Sequence, residues 1–221
     1  MRNDNKKVIF DLDGTLYSLG GKQFGTFGES QFYTDLKGRI LTFIGTRLNL
    51  GKMQAARIIE NVDRQFNGDL SIGFEKLYGI DRYEYYTATW QCDPTEYVTA
   101  DNELAAKLTA LRGRTLLLTA APRVWAEKTL DHLGVADIFG GNIITGEPDI
   151  RKPDPLVFMQ ASKKLDLDPR NIISVGDQNH TDIIPARAVG MTTILIGPKQ
   201  QDAHFRVDTI HQAIDIIKEQ L

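Results

Sequence analysis

The segment Val8-Ile9-Phe10-Asp11-Leu12-Asp13-Gly14-Thr15-Leu16 constrains the fold more than any other, because an apolar strand delivers two carboxylates and a glycine turn to one point. At β spacing Asp11 and Asp13 project to the same side, Leu12 turns away into a core, and Gly14-Thr15 lets the chain leave sharply. Acids at the carboxyl end of a buried strand sit where open α/β sheets bind ligands. Taken alone, an Asp-Gly turn after a strand needs no function. The segments downstream decide between a turn and a reaction centre.

Three such segments follow in order. Arg114 to Thr119 reads as a buried strand ending in a hydroxyl, and Ala120-Ala121-Pro122-Arg123 leads from it into a helix. Glu147 to Pro155 places Lys152 in a proline-stiffened loop before another helix. Ile172 to Asp177 is a further apolar strand ending in an acid, with Asp182 in the next turn. A lone strand-end Thr is commonly a local cap, and a lone Lys beside Pro is commonly a solvated charge. Their place in one ordered set argues for function instead.

Asp11, Asp13, Asp177 and Asp182 would concentrate negative charge in one crevice, repel a phosphate dianion and raise some of the acids' pKa values. A hard cation resolves this, and oxygen ligands of this kind suit Mg²⁺, which also takes a substrate phosphate oxygen. Asp182 has a second reading as an acid favouring a helix N-terminus.

The ordered set resembles the haloacid dehalogenase superfamily, whose motifs are Asp-x-Asp, a Ser or Thr after the second strand, a Lys, and Gly-Asp-x-x-x-x-Asp. The resemblance runs from Lys7 to about Gly197 and implies an α/β fold: a three-layer, Rossmann-like parallel sheet core with an inserted α-helical cap. It implies a Mg²⁺-dependent phosphomonoester hydrolase acting on a small phosphorylated metabolite, such as a nucleoside monophosphate or a sugar phosphate. The metal would take the Asp11 carboxylate, the Asp13 backbone carbonyl and the Asp177 carboxylate, with Asp182 acting through water. Asp11 is then the expected nucleophile, forming an aspartyl-phosphate, and Asp13 the general acid and base. Thr119, Ala120, Lys152 and Arg123 are the expected phosphate contacts, Lys152 also ordering the nucleophile, while Arg123, at a helix start, has a second reading as a solvent-exposed residue.

Within the superfamily, Tyr78 to Pro94 and Thr119 to Val135 are most similar to the pyrimidine 5′-nucleotidase branch. Ala120 departs from the Asn common there, and Gly176 to Asp182 is closer to general phosphatases. A dehalogenase would need one nucleophilic Asp in an apolar halide pocket, which the acids at Asp13 and Asp177 oppose. A phosphosugar mutase would use the same aspartyl-phosphate with water excluded. A non-catalytic binding or regulatory module would be expected to lose one of Asp11, Asp13, Lys152 or Asp177, and all four are present.

Between the first motif and the strand at Leu116 lie about a hundred residues, too many for a structureless loop. Helical spacing of apolar residues predicts helices over about 31–48, 52–66, 74–78 and 83–90, then a core helix over 101–112. Residues 1–18 and 96–221 are therefore expected to form the core and 19–95 the cap, hinging near 17–28 and 93–99. A cap of this kind excludes water and selects the leaving group. The glycine-rich stretch Leu19 to Gly28 lacks the ending of a P-loop and reads as a hinge. Its Phe24 and Phe27 are candidates to stack on a substrate or to staple the hinge. Tyr78, Tyr83, Tyr85, Tyr86 and Trp90 read as cap core before a nucleobase platform. Asn179 and His180 are candidates for contacts to metal waters or for a plain helix start.

The 221-residue chain carries a formal net charge of −3, with no basic stripe, so nucleic acid is not expected as a partner. Cys92 is the one cysteine, which fits a reducing compartment. The apolar run near the start is too short for a signal or a membrane span. A cytoplasmic enzyme with no obligate protein partner is the expectation.

Overall fold

A computed structural model describes residues 6–18, 27–197 and 202–220. Most of the glycine-rich stretch, including Phe24, lies outside the described residues, as does the side chain of Phe27. The chain divides into two units, one of residues Met1–Phe27 and Pro94–Leu221 and one of Gly28–Asp93.

Among the described residues the first unit is built on six parallel strands: β1 (Lys7–Phe10), β2 (Thr115–Leu118), β3 (Ile143–Ile144), β4 (Ile172–Gly176), β5 (Thr192–Ile196) and β6 (Phe205–Val207), in the order β3-β2-β1-β4-β5-β6. Strands buried on both faces read as unbroken apolar runs, and β2 and β4 are buried at every position. On one face Ile9, Leu116 and Ile172 pack with Val157, Phe158 and Ala161, inward residues of a helix over Pro155–Leu165. Phe10 points to the other face and meets the edge of Phe139, ring centroids 6.2 Å apart. A large apolar side chain buried this way contributes about 1.5–3 kcal/mol.

Chain order turns outward on both sides of the β1/β4 pair, so this pair is the switch point where a crevice opens at the strand ends. Phe10 is in register with Val175, and the Asp11 amide donates to the Val175 carbonyl at 2.9 Å. The first acid of β1 and the acid that follows β4 therefore emerge on either side of that switch point.

The second unit holds four helices: α1 (Gln31–Arg47), α2 (Lys52–Gln65), α3 (Leu70–Tyr78) and α4 (Arg82–Trp90). Ser30 caps α1 by accepting from the Tyr33 amide at 3.1 Å, and Asp81 caps α4 through the Tyr83 and Glu84 amides. Phe32, Leu36, Ile40 and Ile44 form the inward stripe of α1. Gly73 lets α3 approach α2, since a Cβ there would lie 2.3 Å from Val62 Cγ1. Of the expected aromatic core, Tyr85 and Tyr86 are buried, Tyr85 stacking on Phe74. Tyr78 and Tyr83 are exposed, because only one face of each short helix turns inward at 100° per residue.

The helix expected over 101–112 is α5 (Asn102–Thr109), which ends before Leu111, although Leu111 is still buried. The rest of the first unit is helical between strands: α6 (Arg123–His132), α7 (Ala136–Phe139), α8 (Pro155–Leu165), α9 (Ile184–Ala188) and α10 (Ile210–Gln220). Among the described residues no helix is long and apolar enough to cross a membrane.

Candidate active site

Four segments meet at the carboxyl ends of β1, β2 and β4. Asp11 follows β1, Asp177 follows β4, and Lys152 reaches in from the loop before α8. Asp182 comes from a single π-type turn over Asn179–Ile183. Lys152 Nζ donates to Asp11 Oδ1 at 2.7 Å and to Asp182 Oδ1 at 2.6 Å, and all three residues are buried. The second oxygen of Asp182 accepts from the Gln178 amide at 2.9 Å. Asp182 is thus a partner of Lys152 with both oxygens engaged, a role more specific than an acid at a helix start.

Two glycines make room for this. A Cβ on Gly14 would lie 2.4 Å from Asp177 Oδ2, and one on Gly176 would lie 2.3 Å from Asp182 Cβ. The π turn carries Asp182 back over Gly176, and only a residue without a side chain admits it. Gly146 does the same for the loop before Lys152, where a Cβ would collide with the Ala120 carbonyl at 1.9 Å.

One ammonium sits among several acids, and the proton affinities of Asp11 and Asp177 record it. Burial pushes Asp11 up to about 7, with the Asp182 and Asp13 charges adding and Lys152 opposing. Burial likewise pushes Asp177 up to about 8, with Asp11 and Asp182 adding. Burial would lower Lys152, but the Asp11 and Asp182 carboxylates outweigh it and hold the ammonium above its ordinary value.

Asp11, Asp177 and Asp182 each offer a carboxylate oxygen within 4.8 Å of the others. Among the described residues Asp177 Oδ1 is buried with no hydrogen-bond partner. A buried carboxylate oxygen without a donor is costly, and one inside a group of acids fits a hard divalent cation such as Mg²⁺.

Asp13 stands apart from that group. Its Oδ1 accepts from the Tyr17 hydroxyl and from Trp125 Nε1, the latter at 2.8 Å. Burial raises its pKa against the effect of both donors. Neither donor was expected from sequence. Tyr17 lies four residues beyond Asp13 and reads there as hinge, while Trp125 carries no local signal because it arrives from α6.

Thr119 is buried, and its hydroxyl oxygen accepts from the Ala121 amide at 3.0 Å. Ala120 is exposed at the end of β2. Arg123 is not brought to the acids: it pairs with Glu127 at 3.0 Å along α6, both side chains about half exposed. His180 is exposed, and Asn179 donates to Asp202 Oδ2 at 2.8 Å.

A parallel sheet with a Lys-bridged group of acids at its switch point defines a hydrolase of the kind the motifs resemble. Residues 6–190 match the family of haloacid dehalogenase-like hydrolases, and the chain belongs to that family. It is 24% identical to a glyceraldehyde 3-phosphate phosphatase of Methanopyrus kandleri, over 97% of each chain. It is 27% identical to a phosphoglycolate phosphatase of Neisseria gonorrhoeae, over 85% of this chain and 78% of that one. Among solved structures, a HAD phosphatase from Thermococcus onnurineus shares the fold with a TM-score of 0.66 and 22% identity, covering 96% of this chain and 97% of that one.

Proposed function

We propose that this hydrolase is a Mg²⁺-dependent phosphatase that cleaves the phosphomonoester of a small metabolite through an aspartyl-phosphate. The observation that carries this is the buried Lys152 bridge, which holds one oxygen of Asp11 in place beside an unpartnered Asp177 oxygen. Relatives named for glyceraldehyde 3-phosphate and phosphoglycolate support a small, non-polymeric phosphate as the substrate class.

Asp11, Asp177 and the Asp13 backbone carbonyl would hold the Mg²⁺, which supplies positive charge against the substrate phosphate and a ligand position for one of its oxygens. Lys152 fixes Asp11 Oδ1, so the carboxylate attacks phosphorus through its other oxygen. The bond from phosphorus to the leaving oxygen breaks, and that oxygen takes the proton carried by Asp13. Asp13 then removes a proton from water as the water attacks the phosphoryl group. The acyl-phosphate bond breaks, releasing inorganic phosphate and restoring Asp11.

Thr119 accepts from the Ala121 amide through its hydroxyl oxygen, and its O–H is assigned in this scheme as a donor to a phosphoryl oxygen. The Ala120 amide and the Lys152 ammonium are further donors in this scheme. Asp182 keeps Lys152 charged and in place. The helical unit of residues 28–93 is the part we assign to selecting the leaving group, as an inserted cap. The enzyme would act in the cytoplasm on a diffusible metabolite.

The test is phosphate release from sugar phosphates, nucleoside monophosphates, phosphoglycolate and glyceraldehyde 3-phosphate with Mg²⁺, comparing the parent with Asp11→Asn. Release by the parent alone is expected. Near-normal release by the variant removes Asp11 as nucleophile, and no release by a folded, metal-loaded parent removes the phosphatase assignment.

A further inference from the structure

The scheme above asks Asp13 to give a proton to the leaving oxygen and later to collect one from water. Its carboxylate must therefore be held in one orientation without both oxygens being occupied. Two donors arrive at the same oxygen. The Tyr17 hydroxyl and Trp125 Nε1 both donate to Asp13 Oδ1, and the indole nitrogen also lies 3.1 Å from the Tyr17 oxygen. The three groups close a small triangle on one side of the carboxylate.

The donors are themselves fixed. Trp125 is fully buried on α6, and its ring meets Tyr97 edge-on with centroids 6.4 Å apart. Tyr17 is nearly buried, and its backbone forms a bridge with that of Asp13. An indole N–H can only donate. The Tyr17 hydroxyl, a phenol with an ordinary pKa of about 10, likewise donates at neutral pH. Neither can substitute for Asp13 in carrying a proton.

We propose that Tyr17 and Trp125 are positioning residues that clamp Oδ1 of Asp13 and leave Oδ2 as the oxygen that exchanges protons with the leaving group and with water. This rests on the phosphatase assignment and deepens it. With the clamp in place, the proton on Oδ2 passes to the leaving oxygen as the phosphorus–oxygen bond breaks. The same Oδ2 accepts a proton from water in the second step, so Asp13 ends as it began. Without the clamp the carboxylate rotates, and protonation of a poor leaving group falls out of alignment.

The test separates leaving groups that need a proton from one that does not. Tyr17→Phe and Trp125→Phe keep the rings and remove the donors. Single-turnover release of the alcohol, with Mg²⁺-loaded enzyme in excess, is compared for an alkyl phosphate and for p-nitrophenyl phosphate. In each variant, cleavage of the alkyl phosphate is expected to slow by about 10- to 100-fold, a part of what a general acid supplies. Cleavage of p-nitrophenyl phosphate is expected to slow much less, with KM little changed for either.

Equal slowing on both substrates overturns the clamp, since a merely structural role would not distinguish leaving groups. No slowing on either also overturns it. If one variant fails to fold, as thermal denaturation would show, the other carries the test, and failure of both to fold overturns the clamp in favour of a packing role. A parent inactive on both substrates overturns the phosphatase assignment, and the clamp with it. That failure lies in the parent, so it is distinct from a failure confined to the variants.

Discussion

Gly14 faces the Asp177 carboxylate across a gap that no side chain fits, since a Cβ on Gly14 would lie 2.4 Å from Asp177 Oδ2. Gly14 also holds a φ of +86°, a region that costs an L-residue about 1–2 kcal/mol. The turn after the first motif and the position of the acid that follows β4 therefore depend on one hydrogen atom. Gly14→Ala should lower thermal stability by at least the backbone cost and weaken Mg²⁺ binding by displacing Asp177. Calorimetric titration with Mg²⁺ beside a melting curve checks this, and unchanged Mg²⁺ affinity would separate the turn from the metal site.

Lys152 bonds both Asp11 and Asp182 through its one ammonium. Removing one partner of a buried ion pair typically costs about 3–5 kcal/mol, because the remaining charges lose their compensation. Lys152→Met should destabilise the metal-free protein at neutral pH by that order, and less at pH 5, where Asp11, pushed up to about 7, is protonated. Activity should fall by about 10²–10³, as when an oriented donor to developing charge is lost. Denaturant melts at the two pH values and steady-state phosphate release measure both effects. A stability loss that is the same at both would show that the cost is not electrostatic.

The raised acids make stability depend on pH. Asp11 moves from 3.8 to about 7 and Asp177 from 3.8 to about 8, so between these limits the folded chain binds more protons than the unfolded one. Stability of the metal-free protein should therefore fall as pH rises from about 4 to about 8. Mg²⁺ binds the deprotonated ligands, so the rise in melting temperature on adding Mg²⁺ should be larger at pH 8 than at pH 5. Asp177→Asn should shrink that rise. An equal Mg²⁺ effect at both pH values would argue against these carboxylates as its ligands.

Arg123 begins α6, four residues after Thr119, yet its guanidinium pairs with Glu127 on an exposed flank. Such an i,i+4 pair contributes about 0.3–0.5 kcal/mol. Arg123→Ala should leave the melting temperature within a degree or two of the parent and leave KM unchanged. A rise of tenfold or more in KM without loss of stability would restore Arg123 as a substrate contact.

The acids and the lysine of the site were legible because each sits at the end of an apolar run or in a proline-bounded loop, and such punctuation survives in sequence. The helices of residues 28–93 were legible from their periodicity, since Phe32, Leu36, Ile40 and Ile44 repeat at the spacing that buries one stripe of a helix. Asp182 was only half legible. Its spacing from Asp177 marked it as functional, but whether it turned to solvent, metal or Lys152 depended on a π turn whose extra residue no propensity announces.

The amino-acid sequence by itself determined that Asp11, Asp13, Thr119, Lys152 and Asp177 would stand at strand ends and loop mouths of one parallel sheet, because hydrophobic burial dictates where each strand stops. Only the tertiary structure decided which atoms meet there. Trp125 reaches Asp13 across 112 positions of chain, Lys152 chooses Asp182 as its second partner, and Arg123 turns outward to Glu127. Burial is a property each residue carries locally. The direction of a side chain at a helix start or a turn is set by how strands register and helices cross, and that information is shared among residues far apart in sequence.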